Sequence, residues 1–416
     1  MKVLVLGAGV VGTAAAWYLV ERGHEVTVVD RRPAAGMETS FANGGQVSAS
    51  HPEPWASPES RAKAGEWMRR DDLPVSFRLR WQPAQWMWAW KFLQECKPGR
   101  VRENTAQIAS LATYSHAMLK ALRASEEIEY DALTRGILHY YTDSAVFDAA
   151  AVAAPLLKQY GIDRAVKTRE EAIAIEPALA QAGERIVGAT FAAGDESGDA
   201  HKFTRELARL AQARGVCFLY DHDIQAIDAA GGDIVGVLVR TKDMKDQVLT
   251  AHAYVVALGS HSPDLAGPVG VNLPVYPAKG HSITVEITDA SKAPNVSLTD
   301  EEARLVVSRL GNRLRIAGMA EIAGYEADIN PARIAAIVRR AREIFPGVGD
   351  YDSATPWAGM RPATPSNVPI IGRTGLSNLY VNTGHGTLGW TLACGSGAAL
   401  ADIISGRKPE VDFRFT

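Results

Sequence analysis

The chain has 416 residues, 47% of them apolar, and a formal net charge of −3. That length holds two or three domain-sized units with ample core, and the near-neutral charge argues against a nucleic-acid partner. Three scattered cysteines, Cys96, Cys217 and Cys394, form neither a disulfide framework nor a metal spacing, which fits a reducing cytoplasm.

In chain order, Val3 to Leu6 reads as a short buried strand, followed by Gly7-Ala8-Gly9-Val10-Val11-Gly12. Ala15, Ala16, Leu19 and Val20 then recur at helical spacing, Gly23 closes the helix, and Val26 to Val29 forms a second strand ending on Asp30. Gly7 permits a tight turn, Gly9 lets backbone approach a pyrophosphate, and Gly12 lets helix pack on sheet. The helix N-terminus faces the phosphates, and Asp30 is placed to accept from a ribose hydroxyl. A dinucleotide site is therefore expected. Residues 3–20 are also apolar enough for a signal sequence or anchor, but such a segment gives no reason for three patterned glycines. No later run is read as reaching transmembrane length.

Thr39 to Gln46 is polar and glycine-rich, a loop able to bring backbone N–H groups against a ligand. From Trp55 to Trp90 lie six of the nine tryptophans, densest at Trp86 to Leu93 and framed by Arg78, Arg80, Lys91, Lys97 and Arg100. This is either a basic aromatic surface at a membrane interface or a buried helix or lid. Trp86, Trp88 and Trp90 do not share one helical face, which favours the second. Helices are expected at 102–124, 144–159, 170–175 and 200–213, with Asp195, Glu196 and Asp199 as helix entry. Strands are expected at 136–142 and 216–220. A meander should follow at 224–228, 234–240 and 247–250, and then a strand from Tyr254 ending on Gly259. Residues 275–287 and 304–319 alternate as antiparallel strands do, and 332–345 is an amphipathic helix. Trp357 to Pro362 precedes a last strand at 379–382, which runs into Gly384-His385-Gly386-Thr387-Leu388-Gly389 and an apolar helix.

Two strand–glycine–helix units nearly 380 residues apart suggest FAD more than NAD, because an NAD domain normally completes its sheet contiguously. The layout resembles the D-amino-acid oxidase and glycine oxidase superfamily. ETSFANGGQVS (38–48), VYPAKGHSIT (275–284) and VNTGHGTLGWTLACGSG (381–397) look like bacterial D-amino acid dehydrogenases. The resemblance implies an α/β protein: a discontinuous Rossmann-type FAD domain (1–70, 190–268 and 352–416) with an inserted α+β substrate domain (71–189 and 269–351) built on an antiparallel sheet. It implies that Gly7 to Gly12 hold the pyrophosphate and that Asp30, beside Arg31, holds the ribose. Ser40, Asn43, Gly44, Gln46 and Gly259 would line the flavin side, and Ile224 would meet the adenine through its backbone. Gly386 to Gly389 would bring a helix N-terminus to the flavin N1–C2=O edge. Arg361 would clamp the substrate carboxylate. Tyr276 and Lys279 are further catalytic candidates, each also readable as a core tyrosine and a surface lysine. His51 stands near the active site, where related dehydrogenases lead one to expect tyrosine.

The implied reaction is oxidation of a D-amino acid to an imino acid, which water converts to a 2-oxo acid and ammonia. Electrons would pass to a respiratory-chain or quinone acceptor, from a cytoplasmic protein with peripheral contact on the membrane's inner face. An oxygen-using amine oxidase of the glycine, sarcosine or proline type is the alternative, and a nucleotide-binding protein without turnover is a third. No metal cluster is recognisable.

Overall fold

The computed structural model describes residues 1–70 and 73–416. The chain opens on β1 (Lys2–Leu6), α1 (Val10–Glu21) and β2 (Glu25–Val29). β1 is buried from Val3 to Leu6, as a central parallel strand requires. Gly7 turns the chain at φ +110°, where a Cβ would lie 2.6 Å from the Ala257 carbonyl oxygen. β3 (Gln46–Val47), α2 (Pro58–Trp67), β4 (Val75–Phe77), α3 (Pro83–Glu95) and α4 (Pro98–Ser125) follow. All three helices open on a proline, whose missing N–H costs nothing there.

Next come β5 (Ile137–Tyr141), α5 (Ser144–Ala153), β6 (Ala165–Lys167), α6 (Arg169–Ile175), β7 (Gly188–Ala192), β8 (Glu196–Ser197) and α7 (Ala200–Ala213). The helix expected over 144–159 is α5 plus a 3₁₀ stretch, Ala154–Tyr160. Pro155 interrupts the α ladder. Of the acids expected at the entry to α7, Asp199 caps it, accepting from the N–H groups of His201 and Lys202. Asp195 and Glu196 are used elsewhere: Asp195 accepts from the Ser48 and Ser50 hydroxyls, and Glu196 pairs with Arg123.

The remainder comprises β9 (Cys217–Leu219), β10 (His222–Ala230), β11 (Asp233–Thr241), β12 (Asp246–Leu249), β13 (Ala253–Val256), α8 (Ser262–Ala266), β14 (Tyr276–Glu286), β15 (Ser297–Asp300) and β16 (Leu305–Leu310), then β17 (Arg313–Ile322), α9 (Pro331–Ile344), β18 (Thr355–Ala363), β19 (Ile370–Arg373), β20 (Leu379–Thr383) and α10 (Gly389–Ile404). The stretch 304–319, read as strand, is a hairpin that turns at Gly311, φ +63°.

One sheet has six strands in the order β19-β20-β13-β1-β2-β9, parallel except for β19. β9 takes the edge beside β2 although it lies far along the chain. β10, β11 and β12 form the expected meander. A second, largely antiparallel sheet runs β18-β14-β17-β16-β15-β5-β7-β6, with β4 beside β17. β18 pairs with β14 from Tyr276 opposite Ala363 to Thr284 opposite Thr355. It therefore belongs to the second sheet, not to the nucleotide-type sheet with which 352–416 was grouped.

The last helix corrects one reading. Gly386–Ile404 is long and apolar enough to cross a bilayer, yet 78% of that window is buried. α10 packs against α1 and α4 as the core of the six-stranded half. Its small residues make the approach possible: a Cβ on Gly397 would lie 2.8 Å from the Ala14 carbonyl carbon, and one on Gly395 would lie 2.7 Å from Ser115 Cα. Gly397→Leu should therefore cost at least about 1–3 kcal/mol through overpacking. Thermal unfolding would show this as a lowered midpoint, and an unchanged one would mean that the helices part freely.

Candidate active site

The two sheets enclose a cavity of about 1290 Å³. It opens at the carboxyl ends of β1, β13 and β20, where ligands settle in open α/β sheets. The cavity wall brings together Gly7, Gly9, Val10, Val11, Asp30, Arg31, Ser40, Asn43, Gly44, Gln46, Ile224, Gly259 and Gly386 to Gly389 with His51 and Arg361. Segments from both ends of the chain thus meet on one wall.

Both glycine turns deliver helix N-termini to this space. Neither N-cap residue, Gly9 for α1 or Leu388 for α10, caps its helix with a side chain; in α1 the Val10 N–H donates to Ser40 Oγ, 3.1 Å. The remaining first-turn N–H groups are free for an anionic ligand. A Cβ at Gly9 would meet nothing nearer than Ser40 Oγ at 3.8 Å. The protein's own packing thus leaves room for a side chain there, and a glycine at that point suits a ligand pressed to the backbone. Gly12 differs, since a Cβ would lie 2.0 Å from the Gly7 carbonyl oxygen. Gly12 serves helix–strand packing, away from the cavity wall. Ala8 is also set back, its N–H donating to Asp30 Oδ2 at 2.7 Å. Asp30 is pushed up by burial, partly offset by the N–H groups of Ala8 and Arg32.

Buried polar atoms without partners cluster at the same cavity. They are both amide atoms of Asn382, His385 Nε2, His281 Nδ1 and Trp390 Nε1. An unpaired buried polar atom is costly, so this group fits a polar ligand that completes it. Burial pulls His385 down to about 3. Burial also pulls His281 down to about 4, with Lys279, Arg333 and Arg361 adding to the effect. Trp390 closes the glycine loop already expected at the flavin, whereas His281, Asn382 and His385 were missed in the sequence. Their signal was a polar side chain inside an otherwise buried strand or motif.

Arg361 stands on β18. Its Nη1 donates to Met319 O at 2.6 Å and its Nη2 to Gly318 O at 3.3 Å. The guanidinium lies flat on β14, where a Cβ at Gly280 would come within 2.3 Å of its central carbon. Among the described residues no carboxylate pairs with it, and burial pulls it down to about 10. A partly desolvated guanidinium with unused fork donors has the chemistry to receive a carboxylate.

Tyr276 and Lys279 are corrected. Neither lines the cavity. The Tyr276 hydroxyl donates to Gln82 Oε1 at 2.8 Å, in a cluster with Trp88. Lys279 is buried, its Nζ donating to Asp328 O and standing 3.7 Å from Glu321 Oε2. The register of β14 against β17 shifts between Lys279 and His281, which breaks the usual alternation of faces, and Gly280 and His281 both take the cavity side.

His51 lies on the wall in a polar network. Its Nδ1 is 3.2 Å from Glu53 Oε2 and 3.1 Å from Arg164 Nη2. Burial lowers His51, but Glu53 outweighs it and the net shift is upward. Behind it, His139 Nδ1 stands 2.8 Å from Glu301 Oε1. The Glu301 carboxyl, raised by burial, is brought down to about 2 mainly by His139. His51, His139 and Glu301 each bring a donor atom within 4.8 Å of the others, a grouping that no sequence spacing announced.

This combination of split parallel sheet, two helix starts facing one cavity and an arginine on the cavity wall without a carboxylate partner among the described residues is that of a dinucleotide-dependent oxidoreductase of the two-sheet type. The pattern of one family, described as FAD dependent oxidoreductase, matches residues 2–403, and the chain belongs to that family. Its cofactor is FAD. A D-amino acid dehydrogenase of Dechloromonas aromatica is 56% identical over 415 residues, covering 100% of this chain and 99% of the relative. One of Paramagnetospirillum magneticum is 52% identical, covering 99% and 96%. The fold matches glycine oxidase from Geobacillus kaustophilus at TM-score 0.75, with 22% identity over 99% of this chain and 96% of that one. It also matches L-proline dehydrogenase from P. horikoshii at TM-score 0.76, with 17% identity over 99% and 95%.

Because Gly9 has open space at its Cβ position, Gly9→Val should fold yet lose flavin. The purified variant should melt as a cooperative unit while its 450 nm absorbance falls to a small fraction of the parent's. Full flavin absorbance would remove Gly9 from the pyrophosphate site.

Proposed function

We propose that the chain oxidises D-amino acids to 2-oxo acids and ammonia, with electrons passing from FAD to a quinone-type acceptor. The observation that carries the reading is Arg361, a partly buried guanidinium without a carboxylate partner among the described residues, in one cavity with two helix N-termini. Relatives more than half identical are called D-amino acid dehydrogenases.

The flavin, when bound, supplies the hydride acceptor at N5. Each other task falls to the chain. Gly7, Gly9 and the α1 N-terminus hold the pyrophosphate, and Asp30 the ribose. Arg361 takes the substrate carboxylate in a two-point fork, which fixes Cα in position. The α10 N-terminus at Gly386 to Gly389 stabilises negative charge on the flavin's N1–C2=O edge. Asn382 and His385 offer neutral polar groups, since burial keeps His385 uncharged. Water hydrolyses the imino acid outside these steps.

Arg361→Ala should lower kcat/KM by about thirty- to five-thousand-fold, from about 2–5 kcal/mol for truncating one side of a buried charge pair. Arg361→Lys should restore part, because a point charge does not reproduce the fork. Flavin content should stay normal in both. The parent should favour D-alanine strongly over D-alaninamide, and the Ala variant should barely separate them. Equal loss toward acid and amide would make Arg361 structural. A peroxide assay beside a dye-reduction assay separates a dehydrogenase from an oxidase.

We also propose peripheral contact with a membrane. α3 buries Trp88 but exposes Trp86, Met87 and Trp90, and Trp81 just before it is fully exposed. Of the readings left open for this stretch, a buried helix describes only one face of α3; the helix is amphipathic, with Trp86 and Trp90 one turn apart on its exposed side. Arg61, Arg69, Arg70 and Arg78 are exposed nearby, the pairing of aromatic and basic groups found at bilayer interfaces. Flotation with anionic liposomes at low salt should carry the protein upward, and Trp86→Ser/Trp90→Ser should abolish that. Equal recovery with and without lipid would count against the contact.

A further inference from the structure

The cavity does more than join cofactor and substrate sites. From the Arg361 wall it continues outward beneath α2 and α3 to the exposed tryptophan surface. Trp67 and Met68 beside α2, Phe77 on β4, and Trp88, Trp90 and Leu93 on α3 all line it. Trp90 is 58% exposed and Met68 50%, so these two mark its mouth. At its inner end Trp88 stacks on Phe92, ring centroids 5.2 Å apart at 17°. Trp88 Nε1 donates to Ala363 O at 2.8 Å, which ties the wall to the strand that carries Arg361. The lining thus changes from polar to aromatic between the flavin-side groups and the surface.

We propose that this aromatic corridor is the binding site of the electron acceptor, a lipid-borne quinone, and that it is separate from the amino acid's anchorage at Arg361. The inference rests on the dehydrogenase reading above and adds the acceptor's place. A zwitterionic amino acid loses the hydration of its carboxylate among indoles, which offer that group no cationic partner. A planar apolar ring gains by stacking on them. The mouth opens at the aromatic and basic surface suited to a bilayer interface, so a lipid-dissolved ligand meets the opening directly. The exchange balances. The quinone takes the hydride equivalent that substrate oxidation left on the cofactor, plus one proton from water. It leaves as the hydroquinone, and the oxidised cofactor is restored.

The test separates the two half-reactions of the holoenzyme. Ala89, on α3, lines the cavity half-buried, and Ala89→Trp should plug the corridor. Ala64→Phe does so from α2, a helix without buried residues, and keeps the test open if the first variant fails to fold. Decylubiquinone should quench the parent's tryptophan fluorescence saturably, and either variant should weaken that binding at least tenfold. In anaerobic stopped flow, reduction of the flavin by D-alanine should stay within twofold of the parent, while reoxidation by decylubiquinone slows at least tenfold. Non-saturable quenching in the parent, or reoxidation unchanged in a folded variant, would overturn the proposal. So would equal slowing of both half-reactions, which would make the corridor the amino acid's route. Failure of D-alanine to reduce the parent's flavin would instead sink the dehydrogenase reading, while saturable quinone binding would still be measurable.

Discussion

A partly buried guanidinium without a carboxylate partner among the described residues organises the second sheet. Removing a charge from water costs several kcal/mol unless it is paired, and Arg361 recovers only part of that from the Gly318 and Met319 carbonyls. Those acceptors lie on β17, the donor on β18, and the surface beneath the fork is Gly280 on β14. Three neighbouring strands are thus committed to one side chain, and a side chain at Gly280 would displace it. The charge left over is the sheet's standing demand for an anion.

The six-stranded half makes the complementary arrangement with helices. Ala14, Ala15 and Gly397 let α1 and α10 approach to backbone contact, so two helix starts open side by side on the cavity. Larger side chains at this seam would splay the helices and separate their positive ends. Phosphate charge is permanent, whereas charge on a flavin appears only on reduction. On the proposed reading, the first end would serve binding and the second a state that exists during turnover. Close packing far from the chemistry thereby sets where charge is tolerated.

What the sequence revealed was local. The first thirty residues carry their turn, helix and acid within one short window, and the last motif does the same, so both sites were legible from spacing and resemblance. Sheet membership was not, because pairing across hundreds of residues decides it. β18 leaves the segment to which its neighbours belong and pairs with β14, and 304–319 splits at Gly311 into two strands. Tyr276 and Lys279 were misjudged for a related reason. They share β14 with Gly280 and His281, and composition does not say which of them faces the cavity. Asn382 and His385 were invisible as site residues until their lack of partners could be seen.

The wall opposite β18 depends on remote partners as well. Residues 48–55 have little secondary structure of their own, yet Asp195 accepts from Ser48 and Ser50, Arg164 donates to Ser50 O and pairs with Glu53, and Asn367 accepts from Trp55 N–H. Side chains from three distant parts of the sequence thus hold a loop that would otherwise be mobile. Within it, His51 takes a position where a phenol was expected, and Glu53 and Arg164 accompany it. Each carboxylate of this wall has a cationic partner, Glu53 with Arg164 and Glu301 with Arg304. The network therefore presents hydrogen-bonding groups with little net field, in contrast to the uncompensated charge of Arg361. On the proposed reading, the two walls would divide the recognition: one fixes a carboxylate by charge, and the other meets the rest of the substrate through shape and hydrogen bonds.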